Sequence, residues 1–309
     1  MELTRRAVLG LGLGLGSVAL ATLTGCAPGD AAPTLRLACG ERGGTYLQFG
    51  ENFRDRLDTR RPDAVRVVET QGSAENVDLL RSGDADLGLC LADLAAERAD
   101  GLQAVGRVYQ NYLQCLVRAD SDLSAAEQLA GLTVSIGAPR SGAALAARRM
   151  LEVGDPARWP RIRQLPLRAA LDALEARELD AVFFSGGVPI PELGDRPPAT
   201  ALRLLDLDEP AARLARDWPE FYRPVDIAAG VYPGQNVART VGIPNLLLVR
   251  PDVAVDAVRL LVDVLVDDAA RLVPPGSLGV QYLTESSLID TAPLELHPGA
   301  LAAYRARYG

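Results

Sequence analysis

Three glycine-rich segments carry the residue types that bind anions. They are residues 39–46, 70–76 and 137–143, and each follows a short apolar run. Glycine lets the backbone approach a ligand closely, and we expect Thr45 and Ser73 to cap the helices that follow. The free N–H groups and the positive end of such a helix attract a carboxylate or a phosphate. Similar turns occur in α/β proteins that bind nothing there, so a purely structural role stays open.

The sequence lacks the residues that several other kinds of chemistry require. The sequence contains no lysine, which excludes a Walker A lysine and a Schiff-base lysine. The single histidine, His297, excludes sites built from several imidazoles, and we expect it to be structural. No serine lies in a G-x-S-x-G motif, and the four cysteines form no C-x-x-C pair. We therefore expect no metal, no cofactor and no catalytic residue.

The elements that must position these segments alternate between strand and helix. The first run predicts strand, helix, strand, helix and strand over 34–39, 46–59, 65–70, 74–81 and 86–91. The second run predicts helix 124–130, strand 133–136, helix 142–152, strand 162–165, helix 168–177 and strand 180–184. Such runs form parallel sheets, and ligands lie at the carboxyl ends of their strands.

Two β-rich stretches, 112–118 and 241–250, flank the second run, and an amphipathic helix is predicted over 253–272. A chain of this order leaves one lobe, builds a second and returns. The sequence therefore predicts a bilobed α/β fold, with two crossing strands at the hinge and the ligand cleft between the lobes. Lobe 1 is assigned to 34–115 and 238–309, and lobe 2 to 116–237.

The N-terminus is typical of an exported lipoprotein. Arg5 and Arg6 precede a Gly/Ala/Leu-rich run that ends in Leu-Thr-Gly-Cys at Cys26, which indicates a twin-arginine signal peptide with a lipobox. We expect removal of residues 1–25, lipidation of Cys26, a tether over 26–33 and anchoring to the outer face of the cytoplasmic membrane. A transmembrane helix is the alternative, but 7–24 is rich in Gly and Thr and barely reaches the length of a span.

Composition limits the partners. Without residues 1–25 the chain loses two of its 32 arginines and one of its 40 acidic residues, which leaves a formal charge of −9. Nucleic acid is not an expected partner, because that binding needs a basic face. A hydrophobic content of 48% allows a substantial core, and we expect a monomer.

Once Cys26 is lipidated, three cysteines remain. An odd number forbids a fully paired framework, so we expect Cys39, Cys90 and Cys115 to be buried as small apolar residues. If a disulfide forms, Cys39 with Cys90 is the favoured pair, since both lie near the ends of predicted parallel strands.

Several short motifs follow in order along nearly all of the mature chain. They are Gly-Gly-Thr-Tyr at 43–46, the segments 72–76, 81–87 and 137–142, the segment 180–191 with its Phe-Phe-Ser-Gly-Gly-Val-Pro core, and 230–235, 240–244 and 296–299. Together they resemble the TAXI family of solute receptors, the extracytoplasmic binding proteins of tripartite ATP-independent periplasmic (TRAP) transporters. The resemblance implies a periplasmic-binding-protein fold that captures a small organic acid or an acidic amino acid, such as glutamate, for a TRAP-type membrane permease.

The resemblance also implies a set of ligand-facing residues. Backbone amides at 142–143 and the Ser141 hydroxyl can hold a carboxylate, Arg140 can add a charged fork, and Tyr46 a flat wall. Asp93 either receives a ligand ammonium group or caps a helix. The remaining candidates are Gly44, Thr45, Ser73, Asn76, Gly142 and Ala143, with Gly187 and Val188 closing the cleft and Tyr232 covering its rim.

Glu41 and Arg42 depart from the family pattern, because they occupy places usually held by small or hydroxyl residues. If Arg42 and Arg140 both face the cleft, a dicarboxylate is favoured; if both point to solvent, the family default holds. Two other functions stay open. One is the same binding module acting as a sensor or scavenger without a permease, and the other is an exported α/β enzyme.

Overall fold

The computed structural model describes residues 33–154, 159–194, 202–232, 235–274, 276–279 and 281–309. The predicted signal peptide, Cys26 and all of the tether but Pro33 lie outside the described residues. The strands are β1 Leu35–Ala38, β2 Val65–Val68, β3 Leu87–Leu91, β4 Gln103–Arg118, β5 Thr133–Ser135, β6 Arg161–Arg163, β7 Ala181–Gly186, β8 Leu202–Leu204, β9 Arg223–Ile227 and β10 Ala238–Val249.

The helices are α1 Thr45–Asp58, α2 Ser73–Ser82, α3 Ala92–Arg98, α4 Gly142–Glu152, α5 Leu167–Glu175, α6 Pro191–Gly194, α7 Asp208–Asp217, α8 Val255–Asp267, α9 Ala269–Leu272, α10 Glu285–Leu288 and α11 Pro298–Tyr308. A single 3₁₀ turn covers Ala126–Leu129. No helix of the described ranges is both long and apolar enough to cross a membrane.

One mixed sheet runs through the described chain in the order β2-β1-β3-β10-β4-β7-β5-β6, with β8 paired to β4 and β9 to β10. Strand β1 pairs in parallel with β2 and β3, and β5 pairs in parallel with β6 and β7. We call β1 to α3 the first unit and β5 to α6 the second unit. Both runs of alternating strands and helices that the sequence predicts are therefore present.

Apolar patterning explains the local structure of the first unit. All five residues of β3 are buried, as expected for a strand covered on both faces. In α1, Phe49, Phe53 and Leu57 recur every four residues and lie in the core. Helix α8 packs on the same cluster through Leu261 and Leu265. This packing fixes the start of α1 at the carboxyl end of β1.

The two long strands β4 and β10 connect the units. They are antiparallel to each other, β10 also pairs with β3, and β4 also pairs with β7. The sequence predicted this crossing pair, but it placed the start of the first strand nine residues too late, at 112 instead of Gln103. The chain has the predicted α/β fold class, whereas the exact lobe boundaries stay a prediction.

Two predicted helices differ from the structure. Residues 124–130 form only a 3₁₀ turn, because Gln128 Oε1 accepts hydrogen bonds from the N–H groups of Ser124 and Ala125 and so competes with a helical pattern. The predicted helix 253–272 is divided into α8 and α9 at Asp268. The Asp268 carboxylate pairs with Arg60 at 2.8 Å, which holds the junction against α1.

Candidate functional site

The three glycine-rich segments meet at one cavity of about 40 Å³. Each supplies the start of a helix, α1, α2 or α4. The sequence-predicted residues that line the cavity are Gly44, Thr45, Tyr46, Ser73, Ser141, Gly142 and Ala143. The structure thus brings together seven predicted residues from both units, and their binding roles stay predictions.

Helix starts give this cavity an anion-attracting character. The first N–H groups of α1 and α4, those of Thr45, Tyr46, Gly142 and Ala143, have no partner within their helices. Helix α2 begins beside α4, since a Cβ on Gly142 would lie 2.6 Å from Ser73 Oγ. Backbone donors and positive helix ends therefore point toward one small volume, an arrangement that favours a carboxylate or a phosphate.

The helix caps differ from the two that the sequence predicts. Ser141 Oγ, expected as a carboxylate contact, accepts from Ala144 N at 3.2 Å and caps α4. Thr45 and Ser73 are instead the first residues of their helices, and Gly44 and Gly72 occupy the cap positions without a side-chain bond.

The freed hydroxyls of Thr45 and Ser73 bind elsewhere. Thr45 Oγ1 accepts from Gly187 N at 2.7 Å, and Ser73 Oγ accepts from Leu91 N at 3.1 Å. These two side chains therefore hold the cavity wall together.

Tyr46 belongs to a buried hydrogen-bond network behind the cavity. Its hydroxyl donates to Asn245 Oδ1 at 2.5 Å and lies 3.2 Å from Ser73 Oγ. Because the Tyr46 proton goes to Asn245, the Ser73 hydroxyl is the donor to Tyr46. Burial raises the pKa of Tyr46 well above its ordinary value of 10.0, so the phenol stays protonated. Tyr46 is therefore a fixed wall whose polar tip is already occupied.

Asn111 and Ser185 form the wall contributed by β4 and β7. Asn111 is only 2% exposed, and its Nδ2 donates to the Ser185 carbonyl at 3.3 Å. Within the described residues, Asn111 Oδ1 and Ser185 Oγ are buried and have no hydrogen-bond partner. Buried polar atoms are nearly always satisfied. Two orphaned oxygens beside one cavity therefore point to a ligand or a solvent molecule that completes them.

Glu41 lines the cavity and reaches across to the second unit. Its Oε2 accepts from Leu167 N, at the start of α5, at 2.6 Å. Burial raises the pKa of Glu41 above its ordinary 4.5, although the hydrogen bond from Leu167 acts in the opposite direction. Its neighbour Arg42 is exposed and pairs with Glu69 at 2.8 Å. Glu41 therefore faces the cavity, whereas Arg42 points to the surface.

Arg140 does not contribute its guanidinium to the cavity, contrary to the sequence-based expectation. The side chain is 43% exposed, and it pairs with Asp78 at 2.7 Å and Glu75 at 3.4 Å on α2. Asp78 and Glu75 attract the guanidinium because they lie on the face of α2 next to Arg140. The backbone of Arg140 contacts α2 as well, since its carbonyl accepts from the N–H groups of Ala74 and Glu75 at 3.1 Å.

Asn76 is also structural, contrary to its predicted role. It is fully buried below the cavity, and its Nδ2 donates to the carbonyls of Cys39 at 2.6 Å and Leu89 at 2.7 Å. Its Oδ1 accepts from Thr70 Oγ1 at 2.6 Å. Asn76 has no free polar atom for a ligand, because it ties β1, β3 and α2 together.

Asp93 is neither a ligand contact nor an exposed cap. It is 0% exposed, accepts from the Tyr222 hydroxyl at 2.5 Å and lies 3.5 Å from Arg149. Arg149 belongs to α4 and also pairs with Glu97 on α3. Asp93 therefore takes part in a buried ion cluster that joins the two units beside the cavity.

The residues of the later loops also differ from their predicted roles. Gly187 touches the site only through its N–H bond to Thr45, and the Val188 side chain is buried in the core. Tyr232 does not cover the rim: its hydroxyl donates to Gln114 Oε1 at 2.6 Å and accepts from Ile190 N at 2.8 Å. Val188 and Tyr232 belong to one buried apolar cluster with Phe184.

The histidine and the cysteines have the structural roles that the sequence predicts. His297 Nδ1 accepts from Gly299 N at 3.1 Å and caps α11. Cys39, Cys90 and Cys115 are buried free thiols in the described chain, so the alternative Cys39–Cys90 disulfide is absent here. Burial raises the pKa of each thiol, which leaves all three protonated and unreactive.

The sequence pattern of a known family covers nearly all of the described chain, since the model of the NMT1-like family matches residues 37–306. The chain belongs to the NMT1-like family. Its glycine-rich segments, cavity and crossing strands all lie inside the matched range.

Solved structures resemble this NMT1-like protein at low identity. XAC2383 from Xanthomonas citri is 14% identical, with a TM-score of 0.51 over 88% of this chain and 98% of that one. Tv2483 is 12% identical, with a TM-score of 0.51 over 81% and 93%. The substrate-binding protein of an amino acid ABC transporter is 11% identical, with a TM-score of 0.48 over 77% and 95%. The likeness to XAC2383 and Tv2483 shows a shared fold.

Sequence reasoning missed several cavity residues of this NMT1-like protein. Asn111, Phe184 and Ser185 line the cavity from within strands; Phe184 and Ser185 belong to the Phe-Phe-Ser-Gly-Gly-Val-Pro motif but are not among the expected ligand contacts. One signal was available for Asn111, because it is a polar residue within a strand whose adjacent residues are buried. A polar residue in such a strand must have a partner, and a ligand is one kind of partner.

Proposed function

We propose that this NMT1-like protein is an exported solute-binding lipoprotein that captures a small carboxylate-bearing solute and delivers it to a TRAP-type permease. One observation carries the proposal. Helices α1 and α4, from two different units, begin at the same small cavity, and their first backbone N–H groups have no partner within the helices. The resemblance to TAXI receptors supports the choice of partner, and the fold supports the binding function.

Cavity size favours a compact ligand. Its volume of about 40 Å³ corresponds to about three water molecules, at roughly 10–15 Å³ for each. Among the similar structures, XAC2383 is bound to ATP and Tv2483 is bound to L-arginine. A nucleotide is far larger than this cavity, whereas a small organic acid or amino acid needs only a modest opening of the cleft. We therefore place the ligand among the small acids.

Catalysis is not part of the proposal. The hydroxyls of Ser141 and Thr45 already have local partners: Ser141 Oγ donates to Ala138 O at 2.8 Å, and Thr45 Oγ1 accepts from Gly187 N. The only histidine caps α11 and cannot activate them. The alternative of an exported enzyme would regain support if the purified protein converted its bound acid to another compound.

The ligand can be identified directly. We expect mass spectrometry of denatured, freshly purified protein to release a small carboxylic acid, and calorimetry with that compound to give a Kd in the micromolar range or below, about −8 kcal/mol or stronger. Release of a nucleotide or a peptide instead would contradict the proposal. A permease gene beside this one would favour transport over the sensor or scavenger alternative.

The anchor has a separate test. Replacing Cys26 by Ala in the full-length chain should release the protein from the membrane fraction while leaving ligand affinity unchanged, because the cavity residues all come after Pro33. Fractionation followed by immunoblotting measures the release, with Cys90→Ala as a control that leaves the lipobox intact. Retention of the Cys26 variant at the membrane would contradict the lipoprotein assignment.

A further inference from the structure

A second and larger pocket lies beside the crossing strands β4 and β10. Its volume is about 260 Å³, several times that of the cavity at the helix starts. Residues of both long strands line it, together with residues of α3, of the start of β9 and of the segment between α9 and α11. Among the described residues, the second pocket and the cavity share no lining residue.

The alternation of side chains along the two strands separates the second pocket from the cavity. Asn111 lines the cavity, so its neighbour Gln110 points to the other face of β4. On that face the Gln110 amide lies over Gly242 of β10, where an added Cβ would overlap it. Pro244 follows Gly242 by two residues, has the same face and lines the second pocket. The Gln110 amide therefore lies at the edge of this pocket.

Two hydrogen-bond donors without partners share this face. Arg223 of β9 is the register partner of Gly242 and lines the pocket, and its guanidinium has no partner among the described residues. Gln110 is 3% exposed, and its Oε1 accepts from the Tyr282 hydroxyl at 2.7 Å. Its Nε2 is buried and has no partner in the described chain. Because buried polar atoms are nearly always satisfied, these donors favour an occupant that supplies acceptor oxygens.

The charges of the lining leave one arginine available. Arg107 also lines the pocket, but its Nη1 lies 2.8 Å from Asp290 and its guanidinium lies 4.0 Å from the centre of the Tyr282 ring. Arg223 is therefore the lining cation that no described side chain neutralises. Glu220 carries the opposing charge, since its carboxylate lines the pocket and likewise has no partner in the described ranges. Its charge acts against an anion bound nearby.

We propose that the second pocket binds a small organic oxyanion, which is a carboxylate or a phosphate on a compact apolar body. Arg223 donates charge-assisted hydrogen bonds to the oxyanion, and Gln110 Nε2 donates to one of its oxygens. Pro244 and Leu246 offer apolar surface to the body of the ligand. This site goes beyond the proposed solute capture, because it lies on the opposite face of the strands that border the cavity.

Four related probes test the proposed chemistry by calorimetry. Benzoate and phenyl phosphate carry the two kinds of oxyanion, benzamide lacks the charge, and inorganic phosphate lacks the apolar body. We expect benzoate or phenyl phosphate to bind wild-type protein with a Kd of about 1 mM or below, and benzamide and inorganic phosphate to bind about fivefold or more weakly. The stronger of the two charged probes identifies the preferred head group. Failure of both charged probes to bind, or equal binding of benzamide, would overturn the proposal.

Charge variants assign the binding to the second pocket. Arg223→Gln should weaken the charged probe about fivefold or more, whereas Arg223→Lys, which keeps the charge, should weaken it less. Glu220→Gln removes the opposing charge and should tighten binding about twofold, a gain that a purely structural role of Glu220 would not produce. Arg216→Gln is the matched control, because Arg216 is an exposed arginine of α7 outside the pocket, and it should leave the affinity unchanged.

Gly142→Val distinguishes this proposal from the proposed function. The added side chain obstructs the cavity at the helix starts, so binding in the second pocket should persist in this variant. A probe that loses its binding in Gly142→Val and keeps it in Arg223→Gln occupies the cavity, and that result would overturn the proposal. Failure of the protein to capture any solute acid would remove the proposed function and leave the second pocket intact, since the probes measure it separately.

Discussion

Replacement of Arg140 by Ala tests whether this arginine grips the ligand or only the protein. The guanidinium pairs with Asp78 and Glu75 across the cleft and is 43% exposed. Exposed ion pairs are worth about 0.2–1 kcal/mol, and solvent screening keeps this partly exposed pair within that range. Alanine keeps the backbone carbonyl that caps α2. Because about 1.4 kcal/mol corresponds to tenfold in affinity, we expect ligand binding to weaken by less than about fivefold.

Calorimetry with the co-purified acid measures the effect of Arg140→Ala, with Arg42→Ala as a control for loss of one exposed arginine. The small loss should shrink further at high salt, since only a screened ion pair between the units is removed. It should also be equal for the acid and for its amide. A tenfold to hundredfold loss that is selective for the acid would show that Arg140 contacts the ligand carboxylate and would refute this reading of the geometry.

Three further substitutions test other parts of the structure. Gly142→Val should reduce affinity by tenfold or more in the same calorimetry without changing the circular dichroism spectrum, because an added Cβ would lie 2.6 Å from Ser73 Oγ and such overpacking costs about 1–3 kcal/mol. Arg149→Met should lower the urea-measured free energy of unfolding by about 3–5 kcal/mol, since it removes the cation beside a fully buried carboxylate; a loss below about 1 kcal/mol would contradict this. Burial opposes ionisation of Asp86, but hydrogen bonds from Arg36 outweigh it and lower the Asp86 pKa below 3.8. Its stabilisation is therefore present above the unfolded-state pKa and lost as pH falls through the lower folded-state pKa, so Asp86→Asn should flatten the acid side of the stability profile measured by urea unfolding.

Regular elements could be predicted from the sequence because their signals are local. The buried run of β3 and the four-residue apolar spacing of α1 are visible without tertiary information. The starts of α1, α2 and α4 were also predicted to within a residue, since glycine and a hydroxyl residue mark them. The caps of α1 and α2 were wrong by one position because Gly44 and Gly72 make the turns, while Thr45 and Ser73 find partners far away in the chain.

Side-chain direction in the site could not be predicted in the same way. Arg140 follows a glycine-rich strand end, as a ligand-binding arginine would, but its partner Asp78 lies 62 residues earlier in the sequence. Asn111 faces the cavity only because β4 pairs with β7 and brings Ser185 alongside. Both outcomes depend on which strands and helices become neighbours, and no local pattern contains that information.

Hydrogen bonds between the two units lie close to the proposed ligand-binding groups. Glu41 accepts from Leu167, Thr45 accepts from Gly187, and the Arg140 carbonyl accepts from the start of α2. Each of these bonds joins residues that approach the cavity from opposite sides, and in each one at least one partner is a backbone group. Under the proposed function, a ligand that binds the helix starts would add its own bonds to this set of bridges and stabilise the arrangement in which the two units meet. The long strands β4 and β10 are the connections about which such closure can occur, because they alone run between both halves of the described sheet.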